Sequence, residues 1–284
     1  MSELYGFTTV NVELADLCNK DCWMCGRRKV DRDYAHLSPD YGMIDFSLLE
    51  LIAEQLPPDI IVQLHNNGEP TLYPRLGDAI KLFDKQITNF VTNGKLLLRK
   101  ADQIINNLDT MAISIFENDT EADQQFEIIK KFLAIKGDRK PNTLLRINGD
   151  VKNLQRYDQF GLTYATRYIH APEGSFNYKR DPTVPETGLC QDFLHHPAIN
   201  KDGEVSICVR FDPNRLGVLG NIKEQTLEEI WNGPKRRQWF DAHVQGHREQ
   251  VPLCRNCHYW GVPTGKSSHH VAHISAESVI KNVG

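Results

Sequence analysis

The segment Cys18-Asn19-Lys20-Asp21-Cys22-Trp23-Met24-Cys25 spaces its cysteines as C-x3-C-x2-C. It follows Phe7-Thr8-Thr9-Val10-Asn11-Val12-Glu13-Leu14, whose alternation of apolar and polar β-formers reads as a strand. Thiolates grouped on so short a loop suit an iron–sulfur cluster, which ordinarily takes four cysteines, so one iron would stay open to another ligand. A tetrahedral zinc site would need a fourth protein ligand, and the nearest histidine is His36. The spacing alone leaves the cluster, a zinc knuckle and unrelated core cysteines all open.

Strands and helices alternate behind this loop. Phe46 to Leu56 has helical spacing and stops at Pro57-Pro58. Ile60 to Leu64, Ile87 to Val91, Met111 to Phe116 and Thr143 to Ile147 read as strands, with Leu162 to Ile169 as a sixth. Helices are expected over Pro74 to Lys85, Leu97 to Asn107 and Glu121 to Ile135, the last with Phe126, Ile129, Phe132 and Leu133 on one face. This order predicts an α/β fold with a parallel sheet and right-handed crossovers, a partial (β/α)6 TIM-like barrel with fewer units than a closed eight-stranded one. The cysteine loop, Gly68-Glu69-Pro70, Thr92-Asn93-Gly94 and the polar segment after Phe116 each follow a strand, so they converge on the face that carries sites in such sheets.

After about Gly161 the pattern changes. Prolines 172, 182 and 185 mark irregular chain, and Ala198 to Cys208 reads as a β-hairpin turning at Asp202-Gly203. A helix is expected from Thr226 through Trp239, and Leu253-Cys254-Arg255-Asn256-Cys257 closes this second unit. The expected division is 1–180 for the barrel, 181–262 for a small hairpin-plus-helix module and 263–284 for a flexible tail. Cys190, Cys208, Cys254 and Cys257 suffice to ligate fully either an iron–sulfur cluster or a zinc ion.

The remaining bulk properties are exclusions. A net charge of −4 over 284 residues gives no footprint for nucleic acid. No apolar run reaches membrane-spanning length, and the first residues carry no basic-then-apolar signal. A cytoplasmic location is therefore expected, where thiols stay reduced and seven cysteines point to metal ligation rather than disulfides.

The C-x3-C-x2-C loop, with the other motifs in this order, resembles that of the radical S-adenosylmethionine (SAM) enzymes. The resemblance implies that Cys18, Cys22 and Cys25 hold a [4Fe–4S] cluster whose open iron chelates SAM. It implies SAM-contacting roles for Gly68 and Glu69, for Asn93, for Ser114 at the ribose, for Arg146 at the carboxylate and for Met24 near the adenine. Asn67 stands where the family's motif has a glycine. The second cysteine set resembles the family's twitch and SPASM-type extensions, and implies one auxiliary [4Fe–4S] cluster on Cys190, Cys208, Cys254 and Cys257. A flavodoxin- or ferredoxin-type electron donor is implied as well.

Among these enzymes the chain looks most like 2-deoxy-scyllo-inosamine dehydrogenase-type proteins, with which it shares Cys22-Trp23-x-Cys25, Gly68-Glu69-Pro70, Thr92-Asn93-Gly94 and Leu253-Cys254-x-Asn256-Cys257. That likeness implies oxidation of an alcohol in a small polar substrate, with the auxiliary cluster taking an electron. The two sets use every cysteine, which leaves none to donate hydrogen as radical epimerases do. His170 is the expected proton acceptor, with Glu173 and Tyr178 behind it. Modification of a ribosomally made peptide and a zinc-stabilised, non-catalytic binding protein are the rival readings.

Overall fold

The computed structural model describes residues 6–167, 190–255 and 257. Expectations for His170, Glu173, Tyr178, the barrel–module boundary and the tail lie outside them. Strands β1 (Thr9–Val12), β2 (Ile61–Gln63), β3 (Ile87–Thr92), β4 (Thr110–Phe116), β5 (Asn142–Asn148) and β6 (Thr163–Arg167) run parallel in the order β6-β5-β4-β3-β2-β1. Helices α1 (Gly26–Asp33), α2 (Phe46–Gln55), α3 (Leu76–Leu82), α4 (Ala101–Ile104) and α5 (Ala122–Lys136) occupy the connections. The partial barrel expected from the alternating pattern is therefore present.

Its packing follows the sequence periodicities. Val10 and Val12 of β1, Val62 of β2 and Phe90 of β3 are fully buried, as are Leu49 and Ile52 of α2 and Ile129 and Phe132 of α5. Burying each such side chain contributes roughly 1.5–3 kcal/mol against leaving it in water.

The second unit does not stand apart. After α6 (Gln191–His195), β7 (Ala198–Ile199) pairs in parallel with β1, Asn11 against Ala198 and Val12 against Ile199. β8 (Glu204–Ser206) and β9 (Val218–Asn221) add on antiparallel, which makes one nine-stranded sheet. The turn expected at Asp202-Gly203 forms, with Gly203 at a left-handed φ of 87°.

Four local expectations change. The stretch between Cys25 and Phe46, for which the sequence marks no element, contains α1, whose Val30 packs inward. The helix expected over Leu97 to Asn107 is α-helical only at α4; Leu97, Ala101, Ile104, Ile105 and Leu108 are buried by turns as well as helix, and Asn106 leaves the helix at φ 67°. The helix expected from Thr226 through Trp239 is two, α7 (Leu227–Trp231) and α8 (Pro234–Val244), because Pro234 has no N–H to continue α7 and is suited to begin α8. Cys208 lies just past the hairpin's second strand, and β9 was not foreseen.

Candidate active site

The cysteine loop is held from several sides. Cys25 is the N-cap of α1, and the Cys25 N–H donates to the Cys22 carbonyl at 3.0 Å. Arg28 on α1 reaches back to the carbonyls of Cys18 and Lys20, each at 3.2 Å. Arg27 donates to the Asp16 carbonyl and lies 4.6 Å over the Tyr41 ring. Lys20 is buried in an ion-pair network, 2.8 Å from Asp119 and 3.0 Å from Glu121, on the connection between β4 and α5. Trp23 Nε1 donates to the Glu117 carbonyl on the same connection at 3.1 Å.

The β2 and β3 ends close on this loop. The Glu69 N–H donates to the Leu17 carbonyl at 2.8 Å. A side chain at Gly68 would strike the Ala15 carbonyl oxygen and come within 2.6 Å of that of Leu17, so only glycine permits this approach. Glu69 is almost wholly buried. Its Oε1 accepts from the Thr71 N–H (3.0 Å), Thr71 Oγ1 (2.5 Å) and Thr92 Oγ1 (2.7 Å), and its Oε2 from the Asn93 N–H (2.7 Å). Burial still raises its pKa. A carboxylate offers about four acceptor sites, so the free capacity lies on Oε2. Asn93 Nδ2 donates to Asn19 Oδ1 at 2.8 Å and lies 3.7 Å from Cys18 Sγ.

One cavity of ≈270 Å³ gathers these groups. Cys18, Cys22, Cys25 and Met24 line it from the loop, Gly68, Glu69 and Asn93 from the β2 and β3 ends, and Ser114 and Arg146 from adjacent registered positions on β4 and β5. Burial raises the Cys18 thiol pKa and pushes that of Cys22 up to about 12. Thiols so placed ionise when a metal displaces the proton.

The second cysteine set also comes together. Cys190, Cys208, Cys254 and Cys257 line one small cavity with Phe193 and His243. Burial pushes Cys190 up to about 12 and raises Cys208 and Cys254 strongly. Among the described residues no three His, Cys, Asp or Glu side chains are grouped to hold a single metal ion. Four thiols that share one cavity suit an iron–sulfur cluster, which is held by cysteine thiolates.

Comparison with known proteins bears on these sites. Residues 190–258 match the SPASM family, an iron–sulfur cluster-binding domain. S-adenosyl-L-methionine-dependent 2-deoxy-scyllo-inosamine dehydrogenase of Niallia circulans is 24% identical over 275 residues, spanning 93% of this chain and 98% of that protein. Residues 190–258 therefore form a SPASM module, and over nearly its whole length the chain is similar to a SAM-dependent dehydrogenase. Solved structures share its fold. BtrN in complex with AdoMet and 2-DOIA has a TM-score of 0.57 at 20% identity, covering 92% of this chain and 96% of that one. AnSMEcpe with bound AdoMet has a TM-score of 0.62 at 13% identity, covering 87% and 88%. Streptococcus suis SuiB bound to precursor peptide SuiA has 0.61 at 12%, covering 89% and 71%.

The protein has a further, larger cavity of ≈530 Å³ that sequence reasoning missed. Arg27, Asn66, Asn67, Arg210 and Phe211 line both it and the first cavity, while Cys208 lines both it and the second. Glu13, at the end of β1, is in its wall. Its Oε1 accepts from the Asn67 N–H at 2.9 Å, and burial pushes its pKa up to about 7. Glu13 reads in one dimension as a polar position of a strand; the approach of Asn67 and the hairpin is what buries it. Arg210 and Phe211 carry no sequence signal for a barrel site, since they reach it only through the β7–β1 pairing.

Proposed function

We propose that this enzyme abstracts a hydrogen atom from the carbon bearing a hydroxyl in a small polar substrate and completes a two-electron oxidation to a carbonyl. The observation that carries this reading is the ≈530 Å³ cavity that adjoins both cysteine sets. Bound clusters would supply reductive cleavage of SAM to the 5′-deoxyadenosyl radical at Cys18, Cys22 and Cys25, and a one-electron acceptor at Cys190, Cys208, Cys254 and Cys257.

The residues divide the remaining work. Gly68 and Asn93 hold the cysteine loop, and Met24, Ser114 and Arg146 stand where SAM would lie; a guanidinium suits its carboxylate. The substrate carbon loses a hydrogen atom, then one electron, while its hydroxyl loses a proton. Glu13, lining the cavity with a pKa near neutrality, is able to receive that proton, and His170 is the second candidate. The similar dehydrogenase, whose named substrate is an aminocyclitol, supports a polar alcohol. SuiB, solved with a peptide, keeps peptide modification as the second reading. A flavodoxin- or ferredoxin-type donor and a cytoplasmic setting belong to the same proposal; among the described residues no helix is long and apolar enough to cross a membrane.

The test is anaerobic incubation of iron-loaded protein with SAM, reductant and panels of cyclitols, sugars and short peptides. The expected result is 5′-deoxyadenosine formed together with a polyol product lacking two hydrogens. Solvent deuterium at the reacting carbon without oxidation would overturn the oxidative reading. Loaded iron with no 5′-deoxyadenosine would overturn the radical chemistry.

A further inference from the structure

Arg236, on α8 in the SPASM module, is fully buried. Its guanidinium donates to the carbonyls of Leu194 at 3.0 Å, Phe193 at 3.3 Å and Trp231 at 3.5 Å. It lies 3.8 Å over the Trp231 ring and 5.3 Å from the Phe193 centroid. Every one of these partners is neutral. Burial pulls its pKa down to about 10, and no charged group among the described residues pushes it back. Arginine stays protonated at neutral pH all the same, so Arg236 is a buried positive charge with no carboxylate beside it among the described residues.

Phe193 connects that charge to the second cysteine set. Its ring stacks on His243 at 4.7 Å, and both line the cavity of the four thiols. Arg210 and Arg248 line the same cavity, Arg210 favouring the thiolate of Cys208 and Arg248 that of Cys254. Among the described residues the opposing charges are Asp192, also in the wall, which disfavours the thiolates of Cys190 and Cys208 more than Arg210 favours that of Cys208, and Asp212, which acts on Cys254. Among the described residues, then, the cations Arg210 and Arg248 stand in the wall of a site built from four anionic ligands, with Arg236 behind Phe193.

We infer that Arg210, Arg236 and Arg248 form a cationic shell that raises the reduction potential of the cluster held by Cys190, Cys208, Cys254 and Cys257 and so fits it to accept an electron. The inference rests on the reading that this set holds an iron–sulfur cluster. A four-thiolate cubane is anionic and gains a further negative charge when reduced. Nearby fixed cations stabilise the reduced form more than the oxidised one, and a water-poor interior strengthens the effect. Arg236 acts from behind Phe193, as a positioning charge.

The test is a potentiometric titration of the iron-loaded enzyme with a chemical reductant, followed by EPR, for wild type, Arg248→Met, Arg236→Met and both Lys variants. The expected result is at least a tenfold loss in the reduction equilibrium of the second cluster in each Met variant, 59 mV for a one-electron couple. The cluster at Cys18, Cys22 and Cys25 should be unmoved, and the Lys variants should recover most of the shift. Full iron with unchanged potentials in the Met variants would overturn the inference and leave these arginines as packing groups. If Arg236→Met loses iron, Arg248→Met, altered at a half-buried position, decides the outcome. Wild-type protein with no iron at the second set would instead overturn the cluster reading itself.

Discussion

Gly68 has no room for a methyl group, because the backbone of residues 15–17 occupies the space where its Cβ would stand. Gly68→Ala must push the β2 end away from the cysteine loop. The expected outcome is loss of the first cluster, with iron falling from about eight to about four per chain if both sites are cubanes; iron and sulfide analysis of reconstituted protein checks it. Glu13 makes a pH prediction. Its folded pKa of about 7 lies above the unfolded value, so the native state holds the extra proton between roughly pH 4.5 and 7. Stability from this group is fully present below that window and is lost as pH rises through it, by about 3 kcal/mol in all. Glu13→Gln keeps an acceptor for the Asn67 N–H and carries no charge. It should therefore raise Tm at pH 8 more than at pH 5; an equal shift at both would refute the burial argument.

Among the elements, the cysteine loop and the β4–α5 connection are joined by Lys20 and Asp119, both nearly inaccessible to water. Two buried charges need not stabilise a fold relative to apolar groups, but leaving one unpaired costs about 3–5 kcal/mol. Lys20→Met should lower urea stability by that order, and Lys20→Met with Asp119→Leu should recover much of the loss. A double variant no better than the single would mean that the pair is not coupled. Further along, Thr226 and Glu229 form a reciprocal cap at the start of α7, where Thr226 Oγ1 accepts from the Glu229 N–H at 3.2 Å. Thr226→Ala should cost about 1 kcal/mol, measured by the same denaturation.

At the scale of the molecule, the SPASM module completes the barrel sheet rather than hanging from it. β7 covers the edge of β1, Phe7 meets Trp231 edge-on at 6.1 Å, and the Leu227 N–H donates to Gln55 Oε1 of α2 at 2.7 Å. Residues 1–180 expressed alone would expose β1 as an unpaired edge beside uncovered apolar surface, a template for aggregation. The fragment is expected to be insoluble, and the whole chain to melt in one cooperative transition. Two separated transitions, or a soluble fragment that loads iron, would show that the units fold independently.

The sequence by itself determined what depends on local spacing. Apolar periodicity marked the parallel strands and the long α2 and α5, and turn chemistry marked the hairpin at Gly203. Short motifs marked both cysteine sets, Gly68-Glu69-Pro70 and Asn93, and each expected residue of the first set stands in one cavity. Local spacing could not foresee α1, whose turns are mostly polar, or the break at Pro234 inside an otherwise periodic run. Only the tertiary structure decided that β7 joins β1, because strand pairing is a contact between segments far apart in the chain. That one pairing brings Arg210 and Phe211 to the barrel cavity, and the packing around it buries Glu13 and leaves Arg236 charged behind Phe193. These residues take their character from burial and from the charges brought near them, and those are set only when the chain folds.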